Sequence, residues 1–138
     1  MKEHIEKELK ALLPRIQQVV SMIKDSEENW TADYDQNDPD DQYVRHMFYQ
    51  TADLLDDAGR LLKKVFKEPI IVGRLLKGDN GRYSLGGIEF TSGAGIEFLN
   101  DQCEFPRWVA SRFEHNGDDY YIVNYPELTL HGLLVRVK

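Results

Sequence analysis

The sequence predicts an α+β protein, an N-terminal antiparallel helical hairpin over residues 1–68 followed by a small antiparallel β barrel over residues 69–138. Three observations predict it. In the first 68 positions apolar residues recur every three or four residues, the period of a helix face. Beyond them the period falls to two, as in Ile88-Glu89-Phe90 and Ile96-Glu97-Phe98. A strand sends successive side chains to opposite faces, so these runs have one apolar and one wet side. Gly86-Gly87 and Asn116-Gly117 then separate the alternating runs, as hairpin turns needing positive φ require.

Taken in order, residues 2–24 form the first helix. Ile5, Leu9, Leu12, Ile16, Val19 and Ile23 make a heptad seam, and Leu13 and Val20 widen it. Pro14 interrupts this stretch, because it lacks an N–H and its ring crowds the carbonyl four residues back. The seam continues across it, so a kink near Lys10–Pro14 is expected rather than two helices. Residues 25–41 carry eight acidic residues and no basic one, with no apolar period, and are expected to be a loop. Trp30 and Tyr34 within it are expected to fold back on the helices. Asp33, Asp35 and Asn37 suggest a calcium loop, but the sixth and twelfth positions that demand Gly and Glu hold Asp38 and Val44. Residues 41–67 form the second helix, with Val44, Phe48, Thr51, Leu55, Ala58, Leu62 and Val65 as its seam. Met47, Leu54, Leu61 and Phe66 broaden it, Asp40 or Asp41 is expected to cap its start, and Glu68-Pro69 ends it. Two helices bury little alone. The wide apolar faces therefore predict docking on the β part or a homodimer through the hairpin.

Ile70–Lys77 is a candidate first strand, Gly78–Gly81 a turn, and Arg82–Leu85 a second strand. Ser92–Gly95 is a longer turn before Ile96. In Arg107–Glu114, Val109, Ser111 and Phe113 share one face and Trp108, Ala110 and Arg112 the other. Asp119–Asn124 alternates likewise, and Leu133, Val135 and Val137 face opposite to Leu134 and Arg136 in a closing strand. About seven short strands in series favour a barrel or sandwich.

The runs SGAGIEFL, RWVASRFEHNGDDYYIV and YPELTLHGLLVRVK are similar to a bacterial domain-of-unknown-function family (five-three-four-eight). The matching features are the strand Gly95–Leu99, Trp108-Val109, Arg112, Glu114-His115 before Asn-Gly, the pair Tyr120-Tyr121, and Gly132–Val137. The resemblance covers the C-terminal half. It implies an origin in Gram-positive bacteria, their phages or conjugative elements, and it carries no catalytic residues. The strand order also resembles SH3-like small barrels, by analogy of fold.

Composition narrows the function classes. Net charge is −7, with −5 in residues 1–68 (15 acidic, 10 basic) and −2 in residues 69–138 (9 acidic, 7 basic), which disfavours binding to a phosphate backbone. One cysteine, Cys103, leaves no internal disulfide and no multi-cysteine metal site. No apolar run is long enough for a membrane span, and the mixed-charge start MKEHIEKELK lacks a signal-peptide core, so a cytoplasmic protein is expected. There is no phosphate loop, G-x-S-x-G or H-E-x-x-H motif, and SLGG and SGAG fall in hairpins. Cys103 with His115, and Glu89 with Glu97, are nominal chemical pairs set against a plain surface reading. No enzyme, cofactor or metal is expected.

One constellation stands as a candidate partner site: Arg107, Trp108, Arg112, Tyr120 and Tyr125, arginines beside aromatics. Trp108 has a competing reading as the large residue that fills a junction with the hairpin. The first functional expectation is a non-catalytic protein-binding or accessory module of a mobile element. The second is a nucleic-acid mimic that inhibits a nuclease or defence protein, with Asp33, Asp35, Asp38, Asp40 and Asp41 as its acidic surface. The third is nucleic-acid binding by the barrel through Arg107 and Arg112.

Overall fold

The computed structural model describes residues 1–138 as two compact units, Met1–Lys67 and Glu68–Lys138. In the first, helices α1 (Lys2–Ser26) and α2 (Pro39–Phe66) pack antiparallel. Lys24 reaches Asp53 and Asp56 near the bend, while Lys10 lies over the Phe66 ring at the open end. α1 runs through Pro14 as a single helix, as the continuous seam requires. The helices approach closely at Gly59, where a Cβ would sit 3.7 Å from both Ile16 and Leu13. Ile16, Val20, Ala52 and Gly59 are the buried residues of this interface.

The acidic segment departs from the expected loop. α1 passes directly into a 3-10 turn over Glu27–Ala32, and α2 begins at Pro39, two residues earlier than expected. The cap is Asp38, neither Asp40 nor Asp41: its carboxylate accepts from Asp40 N at 2.9 Å. Pro39 at the first helical position explains the shift, since its fixed φ suits that place and its missing N–H has no partner there anyway. Trp30 folds back as expected, against the guanidinium of Arg45 at 3.9 Å. Arg45 in turn holds both carboxylate oxygens of Glu27.

The second unit contains eight strands in two antiparallel sheets. Five strands run in the order β1 (Ile71–Arg74), β8 (Leu134–Val137), β5 (Gly95–Asn100), β6 (Arg107–His115), β7 (Tyr120–Ile122). Three more, β2 (Leu76–Lys77), β3 (Tyr83–Leu85) and β4 (Ile88–Glu89), form the second sheet. The expected first strand is thus split at Leu75. That residue is fully buried, and its backbone pairs with Leu133 and Gly132 as the chain passes from one sheet to the other. The alternation holds: Ile96, Phe98, Phe113, Ile122 and Val135 point into one core with Leu75, Tyr83, Leu85, Phe90 and Leu130. Phe90 and Phe113 stack at 4.9 Å between centroids. The Asn116-Gly117 turn is longer than a two-residue hairpin. Four residues link the paired His115 and Tyr120, and Asn116 Oδ1 accepts from the N–H groups of Asp118 and Asp119. An asparagine that binds the backbone two residues on builds its own turn.

Candidate functional site

The two faces of the five-stranded sheet divide the sequence-predicted constellation. β5 and β6 pair in register from Gly95↔Arg112 to Asn100↔Arg107, and Glu97 stands beside Arg136 on β8. Trp108 and Arg112 therefore share the face away from the core with Glu97 and Arg136. The Arg136 guanidinium lies over the Trp108 ring at 4.4 Å and donates to Glu97 at 2.6 Å. Arg112 is exposed and holds Glu114 at 3.2 Å. Tyr120 and Tyr125 do not join them. Both pack against the core, Tyr125 edge-on to Phe98 and Tyr120 edge-on to His115. Strand parity explains this. Tyr120 opposes His115 in the ladder, so it shares the inward face of Phe113, two residues back. Arg107 is exposed at the start of β6, next to a loop that the sequence reading passed over. In that loop Phe105 is 77% exposed. An aromatic and an arginine, Phe105 and Arg107, thus stand in solvent together at the tip of the β5–β6 hairpin.

The nominal chemical pairs separate. Cys103 precedes β6 and His115 ends it, so the two lie at opposite ends of a strand about 30 Å long. The Cys103 thiol lies 3.1 Å from the Phe105 carbonyl, and His115 Nδ1 accepts from Gly117 N. Glu89 pairs with Arg82 and Asn80, and Glu97 with Arg136, so each carboxylate has its own partner.

One polar cluster, centred on Asp119, was not anticipated. Asp119 Oδ2 accepts from Lys77 Nζ and from Tyr83 Oη, both at 3.1 Å, while Oδ1 accepts from Tyr120 N at 2.7 Å. It fastens the three-stranded sheet to the β6–β7 turn. Burial works against ionisation of Asp119, but the hydrogen bonds from Lys77, Tyr120 and Tyr83 outweigh it and hold its carboxyl below the ordinary value. The Asp119 hydrogen bond holds Lys77 above its ordinary value. Burial, then the Asp119 bond, pushes the Tyr83 phenol up. Each shift favours the charge state that makes the bond, so the cluster is a fastening rather than a proton-transfer site. No signal in the sequence joins three residues as distant as 77, 83 and 119.

In the hairpin unit three carboxylates of the acidic segment accept from backbone N–H groups. Asp35 Oδ1 accepts from Asn37 N, Asp41 Oδ2 from Asp35 N, and Asp38 caps α2. A cleft of about 380 Å³ beside them is lined by Glu27, Gln42, Arg45, His46 and Tyr49.

With this geometry in place, the comparisons with known proteins concern the β unit. Residues 73–137 match a family model. Its description is Domain of unknown function (DUF5348). The match begins inside β1 and ends with β8, so the DUF5348 region is nearly the whole of the two-sheet unit and excludes the hairpin. No curated protein and no solved structure matches the chain.

Proposed function

We infer that the protein is a non-catalytic protein-binding or accessory module whose partner surface is the tip of the β5–β6 hairpin. The observation that carries this is Phe105, 77% exposed, with exposed Arg107 two residues on. Its stem is rigid: six register pairs join the strands, and Phe98 and Phe113 anchor them in the core. An aromatic and an arginine on a rigid support are the residue types that carry most of the energy in protein interfaces. A solvent-exposed phenylalanine contributes nothing to its own fold and gains about 1.5–3 kcal/mol when a partner buries it.

The same reading takes the β unit as an SH3-like barrel, and the protein as cytoplasmic, in a Gram-positive host, serving a phage or other mobile element. The resemblance of the C-terminal half supports the origin, and the single exposed Cys103 suits a reducing compartment. No helix is long and apolar enough to cross a membrane. The acidic-mimic reading has less behind it, since Asp35, Asp38 and Asp41 spend carboxylate oxygens on N–H groups of their own turn. Nucleic-acid binding is weakened by the Arg112–Glu114 pair.

The test is capture from a Gram-positive lysate by the tagged wild type and by the double variant Phe105→Ala/Arg107→Ala, with and without nuclease. The expected result is a nuclease-resistant protein that the double variant fails to retain, at an unchanged thermal midpoint. Equal capture by both proteins, or capture abolished by nuclease, overturns the reading.

A further inference from the structure

The hairpin unit buries few of its apolar side chains. At 3.6 residues per turn, Met1, Ile5, Glu8, Leu12, Arg15, Val19 and Met22 form one stripe along α1. Met47, Thr51, Leu54, Ala58, Leu61 and Val65 form another along α2. Both stripes lie on the side of the hairpin away from the ion pairs of Lys24 with Asp53 and Asp56. Most of their large apolar members are exposed, Ile5 50%, Leu12 47%, Met22 61%, Leu61 64% and Val65 62%, while Val19 is half-buried.

The α1 stripe has an order of its own. Read outward from Leu12, the positions are Glu8 and Arg15, then Ile5 and Val19, then Met1 and Met22. Each acidic, basic or apolar position is matched across the centre by one that complements it. An antiparallel copy centred on Leu12 therefore sets Glu8 against the second copy's Arg15 and the reverse, and Ile5 against Val19. Both charges stand in solvent; within the chain Arg15 donates only to Gln18. Gly59 lies against Leu13 and Ile16, and Lys10 over Phe66, so Leu12 is level with Leu61–Val65. A two-fold axis at Leu12 thus brings Leu61 and Val65 against their own copies as well.

We propose that the hairpin binds a second copy of this chain through this face, with α1 against α1 in antiparallel register about Leu12, giving a two-fold four-helix bundle. All neighbouring helices in that bundle are antiparallel, and the interface is the same patch on both copies. Self-association of this face is independent of what the Phe105 tip binds.

The test is sedimentation velocity on the full chain over a wide concentration range. Wild type should sediment as a dimer. Leu12→Asp should weaken the dimer by about thirtyfold or more. Glu8→Arg, which sets like charges together twice, should weaken it by roughly tenfold, and adding Arg15→Glu should restore it. Leu12, Glu8 and Arg15 are all exposed on the single hairpin, so circular dichroism should show the helices retained. A monomer at every concentration, or a dimer indifferent to Leu12→Asp, overturns the proposal. A dimer broken by Leu12→Asp in which the double charge swap restores nothing overturns the antiparallel register.

Discussion

Asp119 joins three strands through one side chain. It takes hydrogen bonds from Lys77 on β2, Tyr83 on β3 and its own neighbour Tyr120. Its carboxyl is held below the ordinary value, so the ionised form is favoured in the folded chain. A depressed folded value gives stability that is present above the unfolded value, about pH 4, and is lost as pH falls through the folded value. Asp119→Asn should therefore cost up to about 1 kcal/mol at neutral pH, because solvent screens a side chain that is 39% exposed, and should flatten the decline of stability below about pH 4. Chemical denaturation across pH 2–8 measures both, and an unchanged acid limb would refute the assignment. Lys77 and Tyr83, whose values are raised, act with the opposite sign, their contribution being full below about pH 10 and lost above it. Little of this was legible beforehand. Asp118-Asp119 after an Asn-Gly step looks like ordinary turn chemistry, and the bonds to residues 77 and 83 depend on how two sheets meet. The placement of Trp108 and Arg112 on one face was legible, because strand parity alone decides it. Tyr120 and Tyr125 were harder, since their inward turn depends on the β6–β7 ladder and on the bend after Ile122.

Elements were easiest to read where one period dominates. The extent of α1, the alternation of β5 and β6 and the inward Val135 follow from spacing that no competing signal disturbs, whereas only part of the expected α1 seam is the packed face: Ile16 and Val20 are buried, but Ile5 and Leu12 are exposed. Two-residue strands such as β2 and β4 are too short to carry a period, and the Leu75 crossing between sheets leaves no local mark. The acidic segment misled for a different reason. Its eight carboxylates suggest mutual repulsion and a loop, yet one basic residue outside it supplies the ordering contact. Arg45 grips Glu27 and covers Trp30, and this triad is largely shielded from solvent. A bidentate guanidinium–carboxylate pair stacked on an indole is stronger than a surface ion pair. Arg45→Ala should loosen the 3-10 turn at a cost of about 2 kcal/mol, as expected for hydrogen bonds to charged groups. In a Trp108→Phe background Trp30 reports alone, and its emission should shift to the red with faster proteolysis between Glu27 and Asp38. Unchanged emission would mean that packing on the helices, rather than Arg45, holds the segment.

At the scale of the whole molecule, the two units have opposite economies of burial. The β unit has a core of ten buried residues contributed by both of its sheets. The hairpin has four buried positions, two of them Ala52 and Gly59, in two helices of 25 and 28 residues. Helices of that length in water are held by packing of an apolar face rather than by propensity. The missing packing is what the proposed second copy would supply, so the hairpin's stability should depend on protein concentration while that of the β unit should not. Binding that occurs only in the folded state adds a free energy set by concentration relative to the dissociation constant. Raising concentration a hundredfold above the dissociation constant should therefore raise the helical melting transition, read at 222 nm, by the equivalent of about 2–3 kcal/mol. The near-ultraviolet signal of the β-unit aromatics should melt at a fixed temperature. In the Leu12→Asp variant the helical transition should fall to the dilute-limit value and lose its concentration dependence. If wild-type helices instead melt at the same temperature at every concentration, the apolar face of the hairpin is not closed by its own copy.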